Sequence, residues 1–99
     1  MRKVFVLNNG GKDYSDAERF GDIVFCTQGS LDKWNISQMY RDLEMALMDA
    51  QADDLILLDS LASLCSTASA MMAFRFGEVH YLIYKDGKYI QRDLMLENE

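Results

Sequence analysis

Ninety-nine residues leave room for one hydrophobic core and not two, since single domains commonly run to about 100 to 200 residues. A hydrophobic fraction of 49% beside 26% charged residues excludes the composition of a disordered chain. Sixteen acidic against ten basic side chains leave a formal charge of −6, which repels phosphate backbones and anionic lipid, so direct nucleic-acid binding and membrane binding are both set aside.

Arg2-Lys3 followed by Val4-Phe5-Val6-Leu7 is basic and then apolar, but the run stops at Asn8-Asn9-Gly10-Gly11. That is short of the roughly 7 to 15 apolar residues of a secretory signal. No later run approaches the ~20 residues that span a bilayer, and a soluble, cytoplasmic protein is predicted. Lys3 to Asn8 instead reads as a strand buried on both faces. Ser15-Asp16-Ala17-Glu18 has the spacing of a capping box and predicts a short helix reaching Phe20, stopped by Gly21. Asp22 to Cys26, rich in β-branched and aromatic residues, is a second strand closed by Thr27-Gln28-Gly29-Ser30.

From Asn35 to Ala50 the apolar residues Ile36, Met39, Tyr40, Leu43, Ala46, Leu47 and Ala50 recur at steps of three and four, which predicts an amphipathic helix. Its other face, with Gln38, Arg41, Asp42 and Asp49, should meet water. Leu55 to Leu58 is a third apolar strand, preceded by Asp53-Asp54 and ended by Asp59-Ser60. Ala62 to Phe76 is a helix crowded with small residues, with Ser66, Ala70 and Ala73 on one stripe and Leu64, Ala68, Met71 and Met72 on another. It should pack close to its neighbours, and Gly77 serves as its C-cap. Val79 to Tyr84, the turn Asp86-Gly87 and Tyr89 to Leu96 form a hairpin, because aspartate and glycine accept the positive φ of a type I′ turn.

The order β-α-β-α-β-α-β-β predicts one α/β domain over residues 1–99, three-layered and Rossmann-like or flavodoxin-like. Its mainly parallel sheet of four to five strands should be covered on both faces, with the antiparallel last strand as an edge. The tightest link is the first crossover, where only the 13 residues from 9 to 21 separate two strands, near the minimum for a parallel connection.

In such a sheet, ligands bind at the carboxyl ends of the strands, where the strand order reverses. Those ends carry Asn8, Asn9, Gly10, Gly11 and Lys12 after the first strand, and Asp59, Ser60 and Ser63 after the third. Exposed glycine N–H groups with Lys12 could hold an anion, so a nucleotide or phosphorylated small molecule is a candidate ligand. Against this, asparagine and glycine dominate turns on conformational grounds alone. Gly10-Gly11-Lys12-Asp13 lacks P-loop spacing and no G-x-G-x-x-G occurs. The run of Asp59-Ser60, a small-residue helix, Gly77 and a strand is broadly similar to Rossmann-like nucleoside-processing domains over part of the chain. Those enzymes place a catalytic glutamate in this region, and none lies between Asp59 and Gly77.

No catalytic residue, metal or cofactor is predicted. Cys26 and Cys65 read as reduced structural thiols. Cys65, near a helix N-terminus that lowers a thiol pKa, is the better nucleophile candidate, although His80, the only histidine, sits in a predicted strand and offers no obvious base. His80, Tyr81, Tyr84 and Tyr89 form a candidate contact surface, with cross-strand packing as the simpler explanation. Most of the seven methionines should be core filler. Asp49, Asp53, Asp54, Glu97 and Glu99 read as a solvated face.

Three functions fit these features. The leading one is a non-catalytic accessory or binding domain, a homodimer or the binder of a protein partner, using the hairpin edge or the Ala62 to Phe76 helix. The second is a nucleotide- or phosphate-metabolite-binding protein using the loops after strands one and three. The third is an acidic inhibitor occupying the nucleic-acid site of another protein.

Overall fold

A computed structural model describes residues 2–96. Strands β1 (Lys3–Val6), β2 (Asp22–Phe25), β3 (Leu55–Leu57), β4 (Glu78–Lys85) and β5 (Lys88–Met95) form one sheet in the order β2-β1-β3-β4-β5. β1 lies parallel to β2 and β3, and β3 parallel to β4, whereas β5 runs antiparallel to β4. The sheet is therefore mixed, in a compact α/β fold that ends in an antiparallel hairpin. At the hairpin turn Asp86 (φ 53°) and Gly87 (φ 87°) both occupy the left-handed region, as a two-residue primed turn requires.

Alternation along the strands splits the core in two. Phe5, Leu7, Ile56 and Val79 face helices α1 (Ile36–Ala46) and α2 (Ala62–Phe76), and meet Met39, Leu43, Leu64, Ala68 and Met72 there. Val4, Val6, Leu55, Leu57 and Leu82 face the other way, toward Tyr14, Ala17 and Tyr89. The second face is covered by a single 3₁₀ helix, Ser15–Phe20, where the sequence predicted a full helical layer.

The short first crossover explains that difference. With so few residues to cross from β1 to β2, the chain takes the tighter helix. The predicted capping box does not form, because the Ser15 N–H is held by the Asp13 carboxylate at 2.9 Å and no side chain caps the helix start. Gly21 does more than stop this helix. A Cβ there would lie 2.4 Å from the Arg2 carbonyl oxygen, so only glycine lets the returning chain drop in beside β1.

Asn35 caps α1 by accepting the Gln38 N–H at 3.0 Å. The helix stops at Ala46 instead of Ala50, although Leu47 and Ala50 remain buried. α2 has the predicted limits and is closed by Gly77 at φ 71°. Asp54 departs from the solvated face expected of it. It is 1% exposed, and its carboxylate accepts the backbone N–H groups of Lys3 (2.9 Å) and Gln51 (2.8 Å). Glu97 and Glu99 lie outside the described residues. No helix among the described residues is long and apolar enough to cross a membrane.

Candidate functional site

Strand order reverses between β1 and β3, which makes their carboxyl ends the switch point of the sheet. The loops after these strands do meet there, since Lys12 Nζ lies 2.6 Å from Asp59 Oδ2. The hydrogen bond to Asp59 raises the Lys12 pKa against a smaller effect of burial. Gly10 and Gly11 are exposed.

Asn8 and Asn9 beside them already have internal partners. Asn8 donates to the Gly29 carbonyl at 2.9 Å and accepts from Thr27 Oγ1 at 2.9 Å. Asn9 accepts the Gly11 N–H at 3.2 Å and donates to Gln28 Oε1 at 3.3 Å. These bonds stitch the β1 and β2 loops together. Ser60 supplies its carbonyl to the Cys65 thiol at 3.7 Å, and Ser63 points its hydroxyl to Met39 Sδ at 3.5 Å, on α1. The structure thus brings Lys12 and Asp59 together and turns Ser63 toward α1.

The predicted aromatic contact surface divides between the two faces of the sheet. Tyr81 donates to Ser69 Oγ on α2 at 2.8 Å. On the opposite face the His80 ring is held between carboxylates, with Nδ1 2.7 Å from Asp93 and Nε2 2.7 Å from Glu78. Burial acts to lower the His80 pKa, but the hydrogen bonds to Glu78 and Asp93 and their charges overcome it and leave it raised. Tyr84 and Tyr89 meet edge to face at 5.1 Å. Tyr89 is buried, its N–H bonded to Asp16 and its carbonyl to Arg19.

Burial pushes the Cys26 thiol up to about 12. Cys65 is also raised, chiefly by burial, against the lowering expected so near a helix N-terminus. Among the described residues no group of three or more His, Cys, Asp or Glu is placed to hold a metal ion. No buried side-chain nitrogen or oxygen among them lacks a hydrogen-bond partner.

A different region is open. Between the outward faces of α1 and α2 runs a groove of about 880 Å³. Tyr40 and Met45 line it from α1, Met48 from the turn just after α1, and Ser66, Ala70 and Phe74 from α2. Phe74 is 93% exposed, Met45 70% and Met48 59%. Of the predicted stripe Ser66, Ala70 and Ala73, the first two face the groove while Ala73 packs against the core, and Tyr40 at the groove and Ile36 outside it, both assigned to the apolar face of α1, are exposed. Of the described methionines, Met39 and Met72 are buried and Met71 partly so, while Met45, Met48 and Met95 are exposed.

The missed signal lies in the composition of α2. Its fifteen residues, ASLCSTASAMMAFRF, include one charge, Arg75. A helix without a polar face is normally covered on all sides.

Fold and site together define a small α/β domain whose polar clusters are internally satisfied and whose outer helical face is apolar. The chain belongs to the Phage Pam3 gp32-like protein family, which it matches over residues 2–96. No curated protein and no solved structure matches it.

Proposed function

We propose that this chain is a non-catalytic protein-binding domain that works inside a cell, with the α1/α2 groove as its contact surface. The observation that carries this reading is the bare Phe74 on a helix holding a single charge. Large apolar side chains clustered at a groove mark interaction surfaces on soluble proteins. The polar clusters, in contrast, are occupied with partners in the same chain. The strand order β2-β1-β3-β4 supports reading the scaffold as a flavodoxin-like variant with helices thinned on one face.

Methionine oxidation by peroxide in cells producing the protein tests the reading. Met45 and Met48 should oxidise more slowly than Met95, which is exposed on β5 outside the groove. Equal rates at all three would mean that nothing covers the groove, and the reading would fall.

A second reading, a nucleotide or phosphorylated metabolite held at the switch point, is supported by the meeting of Lys12 and Asp59 beside Gly10 and Gly11. A bound ligand raises the unfolding temperature by mass action. Thermal shifts with nucleotides that disappear in Lys12→Ala would support it, and a flat response across the panel would end it.

A further inference from the structure

We infer that the occupant of the groove is a second copy of this chain, packed about a two-fold axis so that Glu44 of each copy meets Arg75 of the other. This rests on the groove being a contact surface, and it adds the partner and the geometry. Charge is the first argument. Each copy carries −6, so two copies repel over most approaches. The groove has one acid and one base among its lining residues, Glu44 on the α1 wall and Arg75 on the α2 wall, and is neutral. It is therefore a face on which like-charged copies can approach closely.

The arrangement of those two charges is the second argument. A two-fold interface puts the same patch on both sides and must be complementary to itself. Ser63 Oγ lies 3.5 Å from Met39 Sδ near the helix starts, and Arg75 Nη1 donates to the Leu47 carbonyl at 2.6 Å near their ends, so α1 and α2 run parallel. Rotation by half a turn about an axis that lies in the plane of the face, through the midpoint of Glu44 and Arg75 and at right angles to the line joining them, lays each Glu44 over the Arg75 of the second copy. The same rotation brings Phe74 and Met45, the chain neighbours of Arg75 and Glu44, close to one another across the two copies. Sulfur–aromatic contacts of that kind are favourable. The exposed small residues Ser66 and Ala70 leave the groove deep enough to admit side chains from a partner. Tyr40 already holds Glu44 in place, its hydroxyl 3.1 Å from Oε2.

Light scattering and sedimentation of the purified full chain over a range of concentrations test the pairing. The wild type should show twice the 11.4 kDa mass of one chain, and Phe74→Asp should show one chain's mass. Glu44→Arg should weaken self-association about tenfold or more, by setting like charges face to face at the contact. Combining it with Arg75→Glu should restore much of the loss. Arg75→Glu alone also removes the hydrogen bonds to the Leu47 and Met48 carbonyls, so the decisive comparison is Glu44→Arg against the double variant. Phe74 is exposed, and an unchanged unfolding transition for Phe74→Asp at high dilution shows that the variant is folded. A dimer that survives Phe74→Asp, or a double variant no better than Glu44→Arg, overturns the pairing. A purified monomer whose Met45 and Met48 are nevertheless protected in cells also overturns it, and leaves the groove to a different protein. If protection is absent in cells as well, the contact surface fails together with its partner.

Discussion

The carboxyl ends of the strands and the outer helical face differ in which groups they leave without partners. At the strand ends a dense set of asparagine, threonine, glutamine, lysine and aspartate side chains is bonded within the chain, down to the 2.6 Å pair of Lys12 and Asp59. At the helical face the polar groups are few, and Phe74 and Met45 remain in water. A polar cluster is thus a weak indicator of a site when its members satisfy one another. Exposed apolar surface has no partner within the fold and points to one outside it.

The largest effect expected from substitution lies on the buried face of α1. Leu43→Ala should cost about 3 kcal/mol in urea unfolding, because Leu43 is fully buried and truncation leaves a cavity. Phe74→Ser, measured at dilutions where the chain is monomeric, should stay within about 0.5 kcal/mol of wild type, as expected for a surface position. Similar losses at the two sites would erase the distinction between core and contact face.

Next in size is Asp54→Ala. It strands the N–H groups of Lys3 and Gln51 and should cost about 2 kcal/mol, since hydrogen bonds to a buried charged acceptor are among the stronger ones. A loss under about 0.5 kcal/mol would show that these bonds are dispensable.

His80 gives a pH signature. Its folded pKa is raised above the ordinary value of about 6.5, so its contribution is complete below that value and is lost as pH rises through the folded one. The urea midpoint should therefore fall as pH rises above about 6.5 in the wild type, and the fall should flatten in His80→Gln. An equally steep fall in the variant would remove His80 from the account. The smallest effect belongs to Lys12→Ala. Lys12 and Asp59 are 60% and 34% exposed, and exposed ion pairs contribute up to about 1 kcal/mol. A larger loss would mean that the strand ends hold the fold together more than their exposure suggests.

Much of the fold is legible in the sequence, because hydrophobic periodicity and turn chemistry act locally. The α2 limits, the Gly77 cap and the Asp86-Gly87 turn all depend on residues near one another in the chain. What is not legible depends on partners distant in sequence. Ser15 and Glu18 have capping-box spacing, but Asp13 takes the Ser15 N–H, and the short crossover winds as a 3₁₀ helix. Asp54 looks like a surface acid until Lys3, 51 positions away, is placed beside it. The groove was hidden for the opposite reason. Methionine, alanine and phenylalanine at helical spacing read as core, and only the packing of α1 beside α2 shows that the sheet uses one flank of each helix and leaves another bare.

The most direct test of that bare flank is an isotope-filtered NOE experiment on a mixture of labelled and unlabelled chains. Cross-peaks between the Phe74 ring of one chain and the Met45 methyl of another are the predicted result. A concentrated sample in which Phe74 shows no contact with another chain would contradict the account.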